Sequence, residues 1–191
     1  MPDVTIDPAT SALVLIDLQR GIITMPTAPH TAPDVATRGV QLTKRFRDHG
    51  ALVVLVHVDP GPNGELMPQP ITDITRQFPK LAPDWIQLIP ELGPEPSDVV
   101  VTKHQPNAFY GTDLQIHLTR RGIKTIILGG IATNIGVEAT ARAAHERGYE
   151  QVFVEDAMTA READLHTHAV TRFFPTIGRV RSTRDVLDAL A

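Results

Sequence analysis

The stretch that decides the fold is Thr125-Ile-Ile-Leu128 followed by Gly129-Gly-Ile-Ala-Thr-Asn-Ile-Gly136. The first four residues predict a buried strand, and the loop after them leads into an alanine-rich helix predicted over residues 135–147. Backbone N–H groups at the start of such a helix favour a bound anion. The loop has neither the Gly-x-Gly-x-x-Gly spacing of a dinucleotide site nor the lysine of a phosphate-binding loop, so both classes are excluded.

Strand and helix patterns alternate on both sides of this stretch. The predicted strands are 12–16, 52–58, 99–101, 125–128, 151–155 and 179–180, and the predicted helices are 33–49, 112–122, 135–147, 162–173 and 183–190. Thr112-Asp-Leu-Gln115 fits a capping box that would open the second helix. Strands that are apolar on both faces and are separated by helices predict a parallel sheet covered on both sides.

Residues 59–98 interrupt this alternation. Nine of the 16 prolines lie between Pro60 and Pro96, and the segment also contains Trp85, the only tryptophan. So long a connection within one domain is usually functional or disordered. Because of the tryptophan, we expect an ordered lid or contact surface, inserted in a single domain that spans residues 1–191.

The composition excludes several classes of function. The 18 basic and 22 acidic residues give a net charge of −4, which argues against binding to nucleic acid or to an anionic membrane surface. No signal-peptide pattern is visible, and the apolar runs of about six residues are far shorter than a membrane span. We therefore expect a cytoplasmic protein, and nothing in the sequence indicates a cofactor.

The chain contains no cysteine, which excludes disulfides, zinc–thiolate sites, iron–sulfur clusters and thiol nucleophiles. Its three serines lie outside any Gly-x-Ser-x-Gly elbow, so a serine hydrolase is also excluded. His57 and Asp59 lack a third ligand at a recognisable spacing. His166 and His168 would lie on different faces of one helix. The sequence therefore predicts no metal site.

Two charged residues end predicted strands: Asp17 follows the first strand and Lys103 the third. In open parallel sheets, ligands bind beyond the carboxyl ends of the strands. Burial would raise the pKa of Asp17 and suit it to acid–base chemistry. The structural alternatives are a helix cap or an ion pair for Asp17 and a solvated strand end for Lys103.

Four ordered motifs, spread from about residue 10 to residue 190, resemble those of the isochorismatase-like hydrolase superfamily, also called the cysteine hydrolases. These motifs are Ile16-Asp-Leu-Gln19; Lys103 with Asn107-Ala-Phe109 and Gly111-Thr-Asp-Leu114; Gly130-Ile-Ala-Thr-Asn-Ile-Gly-Val137 with Thr140-Ala-Arg142; and Glu155-Asp-Ala157. The resemblance implies a three-layer, doubly wound parallel sheet of six strands in the order 3-2-1-4-5-6. It also implies a cis peptide bond between Ile131 and Ala132.

The resemblance places the family's Asp–Lys–Cys triad on Asp17, Lys103 and Gly136, so the nucleophile position lacks its cysteine. Covalent acyl-enzyme chemistry is thereby excluded, and the metal motif of nicotinamidases is absent. Isochorismatases resemble this chain in also having glycine there, and in them an aspartic acid protonates an enol ether that water then cleaves. The loop Ala132-Thr-Asn-Ile-Gly136 is nevertheless closer to the cysteine-bearing branch, which indicates a glycine-substituted sub-branch.

The residues expected to bind substrate are Gln19, Phe109, Ala132, Thr133, Asn134 and Ile135. Some of them have structural alternatives. Asn134 suits a helix cap equally well, and Phe109 suits the core or an interface. Arg20 and Arg76 suit the solvated surface better than a substrate carboxylate.

The predicted function is hydrolysis of a small polar or acidic metabolite without a covalent thiol intermediate. In this prediction Asp17 is the general acid or base, and Lys103 orients it or binds substrate. The alternative is a catalytically inactive member that binds a small molecule or a partner protein. The resemblance further implies a homodimer or higher homo-oligomer, with the proline-rich segment 59–98 as the candidate contact surface.

Overall fold

The computed structural model describes residues 4–74 and 81–190 and contains one six-stranded sheet. Its strands are β1 (Ser11–Ile16), β2 (Leu52–Val58), β3 (Val99–Lys103), β4 (Thr125–Ile131), β5 (Glu150–Thr159) and β6 (Arg179–Arg181). Neighbouring strands are parallel throughout and follow the order β3-β2-β1-β4-β5-β6. The predicted fold class and strand order are confirmed.

Six α-helices accompany the sheet in the described part of the chain. They are α1 (Arg20–Ile23), α2 (Ala32–Asp48), α3 (Leu114–Arg120), α4 (Glu138–Glu146), α5 (Ala163–His168) and α6 (Thr183–Ala189). Single π-helical turns cover Thr133–Val137 and Ala169–Phe173, and 3₁₀ turns cover Pro90–Leu92 and Phe174–Thr176. Only α1 has no counterpart among the predicted helices.

The core has two halves, one on each face of the sheet. Along β1, Val14 and Ile16 pack with apolar residues of α3 and α4, whereas Leu13 and Leu15 pack with those of α2 and α6. Alternate residues of a strand point to opposite faces, so a strand that is apolar throughout serves both halves. This arrangement explains why β1 is buried at every position.

The start of α3 differs from the prediction, because the capping box at residues 112–115 does not form. The helix begins at Leu114, and the side chain of Asp113 before it caps nothing. The Gln115 amide instead donates hydrogen bonds to Thr119 Oγ1 and Tyr149 Oη, both at 2.9 Å. The described part of the chain has a capping box at α6, between Ser182 and Asp185.

Strand β5 runs to Thr159, four residues beyond its predicted end. Its register with β4 shifts from Leu128 opposite Phe153 to Gly130 opposite Met158, so residues 154–157 bulge from the ladder. A Cβ atom at position 129 would lie 2.9 Å from the carbonyl oxygen of Ala157, so the glycine there accommodates the bulge. A bulge of this kind redirects side chains at the end of a strand.

Part of the proline-rich segment lies against the residues that follow β1. Gln19 pairs with Leu88 in an antiparallel bridge, and Gly21 N–H donates to Trp85 O at 3.0 Å. A Cβ atom on Gly21 would lie 1.9 Å from the Trp85 ring, so glycine is required for this contact. Residues 85–88 therefore lie against the residues that follow β1. Arg76, which the sequence analysis considered, lies outside the described residues.

None of the helices in the described part of the chain is long and apolar enough to cross a membrane.

Candidate active site

Asp17 and Lys103 meet at the carboxyl edge of the sheet. Asp17 follows β1, Lys103 ends β3, and β2 lies between these two strands. Lys103 Nζ donates a hydrogen bond to Asp17 Oδ2 at 2.8 Å, and the two side chains are 2% and 8% exposed. The sequence predicted both residues at strand ends, and the fold joins them in a buried ion pair.

The backbone has an unusual conformation at Asp17, where the chain leaves β1. Asp17 is the only non-glycine residue among residues 4–74 and 81–190 with a positive φ, at 56°. Aspartate tolerates this left-handed conformation better than most side chains. The Asp17 N–H donates to Val56 O at 2.8 Å, so the residue stays attached to β2 while the chain leaves the sheet. Backbone strain of this kind is typical of functional sites.

The environment of Asp17 sets its proton affinity. Burial raises the pKa of Asp17 from its ordinary value of 3.8 to about 6, although the charge and hydrogen bond of Lys103 lower it. The second carboxyl oxygen, Oδ1, is buried and has no hydrogen-bond partner in the described structure. The raised pKa makes the neutral form of Asp17 more accessible than that of a solvated aspartate, and Oδ1 is the oxygen without a competing hydrogen bond.

Gly136 lies beside this ion pair. A Cβ atom at position 136 would lie 3.4 Å from Asp17 Oδ2 and 3.7 Å from Lys103 Nζ. The same atom would come within 2.8 Å of Ile16 Cγ2, which is too close without rearrangement. Strands β1 and β4 are adjacent although they are not consecutive, which makes this edge the switch point of the sheet. The three triad positions therefore meet at one place.

The loop between β4 and α4 contains the remaining predicted substrate-binding residues. The Ile131–Ala132 peptide bond is cis. Thr133 is buried, and its hydroxyl lies 2.9 Å from His166 Nδ1. Asn134 is half-buried and caps no helix, so the alternative role of helix cap is not realised. Ile135 is exposed beside it.

The Gln19 side chain is hydrogen-bonded to backbone groups of two segments. Its amide nitrogen donates to Val58 O at 3.1 Å and to Trp85 O at 3.2 Å, and its oxygen accepts from Val58 N–H at 2.8 Å. The side chain is fully buried. Gln19 therefore links the Trp85 segment to the end of β2, and its role in binding substrate stays a prediction. Spacing along the chain could not reveal these backbone partners.

Phe109 packs against an aromatic ring and an arginine side chain. Its ring stacks on Tyr149 with centroids 6.0 Å apart, and Arg147 Cζ lies 4.8 Å from the ring centroid. Only 5% of the residue is exposed. Phe109 is therefore packed in the core, which matches the structural alternative given for it, and its role in binding substrate stays a prediction.

The structure brings together a cluster of His30, Glu155 and His166 that the sequence analysis did not consider. His57 uses both ring nitrogens, on Ile86 O at 3.0 Å and Thr102 Oγ1 at 2.8 Å, and burial lowers its pKa. His30 and His166 instead converge on Glu155, whose pKa falls to about 2, mainly because of the hydrogen bond from His166. His30 is 125 residues from Glu155, so no local spacing indicated this cluster.

Comparison with known proteins identifies the family. The Isochorismatase domain model matches residues 11–185. The chain is 45% identical to "Uncharacterized isochorismatase family protein YecD" of Escherichia coli O157:H7 over 95% of this chain and 96% of that protein. It is 40% identical to "Uncharacterized isochorismatase family protein YwoC" of Bacillus subtilis, over 98% of each chain.

A solved structure shows the same relationship in three dimensions. An isochorismatase family protein from Burkholderia thailandensis superposes with a TM-score of 0.92 at 45% identity, covering 99% of this chain and 98% of that one. The fold and the aspartate–lysine pair define an α/β protein with a hydrolase-like site at the switch point. The chain belongs to the isochorismatase family of hydrolases.

Proposed function

We propose that this protein hydrolyses a small polar or acidic metabolite without a covalent intermediate. Asp17 is the general acid or base, and Lys103 holds its carboxyl group in place. The observation that carries the proposal is the buried Asp17–Lys103 pair beside Gly136, in which the pKa of Asp17 is raised to about 6. A general acid or base works best when its pKa lies near the working pH.

The two oxygens of Asp17 have different surroundings, and this supports proton transfer. Oδ2 accepts the hydrogen bond from Lys103, whereas Oδ1 has no partner among the described residues. With a pKa of about 6, roughly a tenth of the Asp17 side chains carry a proton at pH 7. That proton belongs on Oδ1, because the ammonium group of Lys103 can only donate to Oδ2.

The absence of a nucleophile limits the reaction class. The chain has no cysteine, and a side chain at position 136 would collide with Ile16. A reaction that needs only an acid and water fits this arrangement. In enol-ether cleavage, Asp17 gives its proton to the vinyl carbon and water adds to the resulting oxocarbenium carbon. The adduct then separates into an alcohol and a carbonyl compound, and the proton released by the water returns to Asp17.

The substrate class follows from the groups near this pair. Asn134 has no side-chain hydrogen bond among the described residues, so its amide is available to a polar substrate. Ile135 adds an exposed apolar surface. Small metabolites with one carboxylate or hydroxyl and one apolar edge suit such a loop.

The test uses isochorismate as the first candidate and follows the release of pyruvate by the purified protein. If Asp17 is the acid, kcat/KM falls about tenfold per pH unit above pH 6, and if it is the base, kcat/KM falls below pH 6. A profile without a transition near pH 6 contradicts either role. Binding without turnover, for isochorismate and for a panel of small carboxylates, would favour the inactive binding protein instead.

A further inference from the structure

Three side chains that the proposed reaction does not use converge at one place. His30 precedes α2, Glu155 lies in the bulge of β5, and His166 lies in α5. Glu155 Oε1 is 2.8 Å from His30 Nε2 and 3.2 Å from His166 Nε2. All three ligand atoms lie within 4.8 Å of one another.

Rigid parts of the fold hold these side chains. The carbonyl oxygen of His30 accepts hydrogen bonds from Thr159 Oγ1 at 2.7 Å and Thr27 Oγ1 at 2.9 Å, which fix it to the end of β5. The His166 side chain is 2% exposed, and its Nδ1 lies 2.9 Å from Thr133 Oγ1. The remaining ring nitrogen of His166, Nε2, therefore faces Glu155.

The donor set selects a particular class of ion. Two imidazole nitrogens and one carboxylate suit zinc and neighbouring divalent transition metals, whereas magnesium and calcium prefer oxygen ligands alone. Ligand atoms about 2.0–2.1 Å from a metal ion are about 2.9–3.4 Å apart when they are tetrahedral or cis-octahedral neighbours. The separations of 2.8 and 3.2 Å from Glu155 are close to that range. The two histidine nitrogens lie within 4.8 Å of each other and have to approach one another to bind the same ion.

We propose that His30, Glu155 and His166 form a mononuclear site for a divalent transition-metal ion, with Zn²⁺ as the best match. Glu155 and His30 are 36% and 24% exposed, so water reaches the open coordination positions. Thr133 is the outer partner of His166, as expected for a ligating histidine, whose second ring nitrogen usually donates to a fixed acceptor.

Metal binding changes the hydrogen bond to Thr133. An ionised carboxylate only accepts hydrogen bonds, so a neutral His166 ring without metal carries its proton on Nε2, towards Glu155, and accepts from the Thr133 hydroxyl at Nδ1. An ion on Nε2 requires the lone pair there, so the ring proton moves to Nδ1 and donates to Thr133 Oγ1. The site is thereby coupled to the loop that carries Gly136, because Thr133 begins the helical turn of that loop.

The test measures metal binding directly on tag-free protein that has been treated with a chelator. Zn²⁺ and Mg²⁺ are titrated by calorimetry, and Co²⁺ is titrated by its visible absorption. We expect one Zn²⁺ per chain and at least tenfold weaker Mg²⁺ binding. Zn²⁺ affinity should fall at least 100-fold in His30→Ala and in Glu155→Gln. These variants alter partly exposed side chains, so the test does not depend on replacing the buried His166.

His168→Ala is the matched control, because this exposed histidine lies in the same helix as His166 but outside the cluster. It should bind Zn²⁺ like the unaltered protein. Thr133→Val should weaken binding about 10–100-fold while His166 remains. The proposal is overturned if no Zn²⁺ binds, if Mg²⁺ binds equally well, or if His30→Ala and Glu155→Gln bind Zn²⁺ as tightly as His168→Ala.

Discussion

In two lysine–aspartate pairs of this protein the nitrogen–oxygen distances are nearly equal, but the pKa of the aspartate is shifted in opposite directions. Lys103 Nζ lies 2.8 Å from Asp17, and Lys44 Nζ lies 2.7 Å from Asp48. The side chains of the first pair are 2% and 8% exposed, whereas those of the second are 76% and 53% exposed. Burial raises the pKa of Asp17 to about 6, whereas the hydrogen bond from Lys44 lowers that of Asp48.

The difference shows that solvent, and not distance, decides what a neighbouring lysine does to a carboxyl group. Around Asp48, water still solvates the charge, so the lysine adds a small net attraction. Around Asp17, the loss of hydration outweighs the attraction of Lys103, and the neutral acid becomes accessible near pH 6. Only the buried pair is thereby suited to proton transfer.

The largest expected effect is on turnover. Asp17→Asn removes the exchangeable proton but keeps the shape and the hydrogen bond to Lys103, so hydrolysis should fall about 10²–10⁴-fold. Asp48→Asn makes the same chemical change in the exposed pair and should leave the rate unchanged. Steady-state assays of both variants against the unaltered protein make the comparison. Full activity in Asp17→Asn would contradict the proposed role of this residue.

The second prediction concerns stability. Lys103→Met leaves the Asp17 carboxylate buried without its counter-ion, so at pH 8 the free energy of unfolding should fall by about 3–5 kcal/mol. The loss should shrink at pH 5, where Asp17 accepts a proton. Urea denaturation at both pH values measures these changes.

Lys44→Met is the control for that measurement, because it removes an exposed partner on α2 and should leave the denaturation midpoint almost unchanged. Equal losses in the two lysine variants would mean that burial does not distinguish the two pairs.

The third prediction concerns the pH dependence of stability. The folded protein holds the Asp17 proton up to about pH 6, whereas the unfolded chain releases it near 3.8. The stabilisation that the Asp17 proton contributes is therefore fully present below pH 3.8 and is lost as the pH rises to about 6. Between pH 4 and pH 7, the free energy of unfolding of Asp17→Asn should gain about 2 kcal/mol relative to the unaltered protein.

Asp48 should give the opposite sign in the same experiment. Its pKa is lowered in the folded state, so its contribution exists above the ordinary pKa and disappears as the pH falls. Asp48→Asn should therefore lose stability relative to the unaltered protein as the pH rises. Parallel slopes for the two aspartate variants would refute the contrast between the pairs.

The smallest predicted effect tests the packing around the buried pair. Gly136→Ala places a methyl group 2.8 Å from Ile16 Cγ2, and overpacking of this kind costs about 1–3 kcal/mol. In an Ile16→Ala background the added methyl group should cost less, because its neighbour has been removed. A double-mutant cycle by urea denaturation measures this coupling. Additive losses would mean that Ile16 does not restrict position 136.

Most of the fold could be predicted from the alternation of apolar strands and helices together with the family resemblance. The least accurate predictions were local. The end of β5 was predicted at residue 155, whereas the strand continues past a bulge to Thr159. The bulge could not be predicted, because it depends on a contact with Gly129 in the neighbouring strand β4. The capping box at residues 112–115 does not form, and the Gln115 amide donates instead to Thr119 and to Tyr149, which is 34 residues away.

The candidate site could be predicted only in part. Asp17 and Lys103 were recognisable because both lie at the carboxyl ends of predicted strands and both match motifs of the family that the chain resembles. The contacts of Gln19 with backbone groups and of Phe109 with Tyr149 were not visible in the sequence. Spacing along a chain does not show which atoms a side chain faces.

The sequence by itself determined that no thiol takes part, that glycine occupies position 136, and that Asp17 and Lys103 follow or end strands of a parallel sheet. Only the tertiary structure decided which effect dominates at Asp17, because hydration loss depends on all the atoms that surround a charge. It likewise brought His30 and His166 to Glu155, because side chains from distant segments meet only after the sheet and its helices have packed.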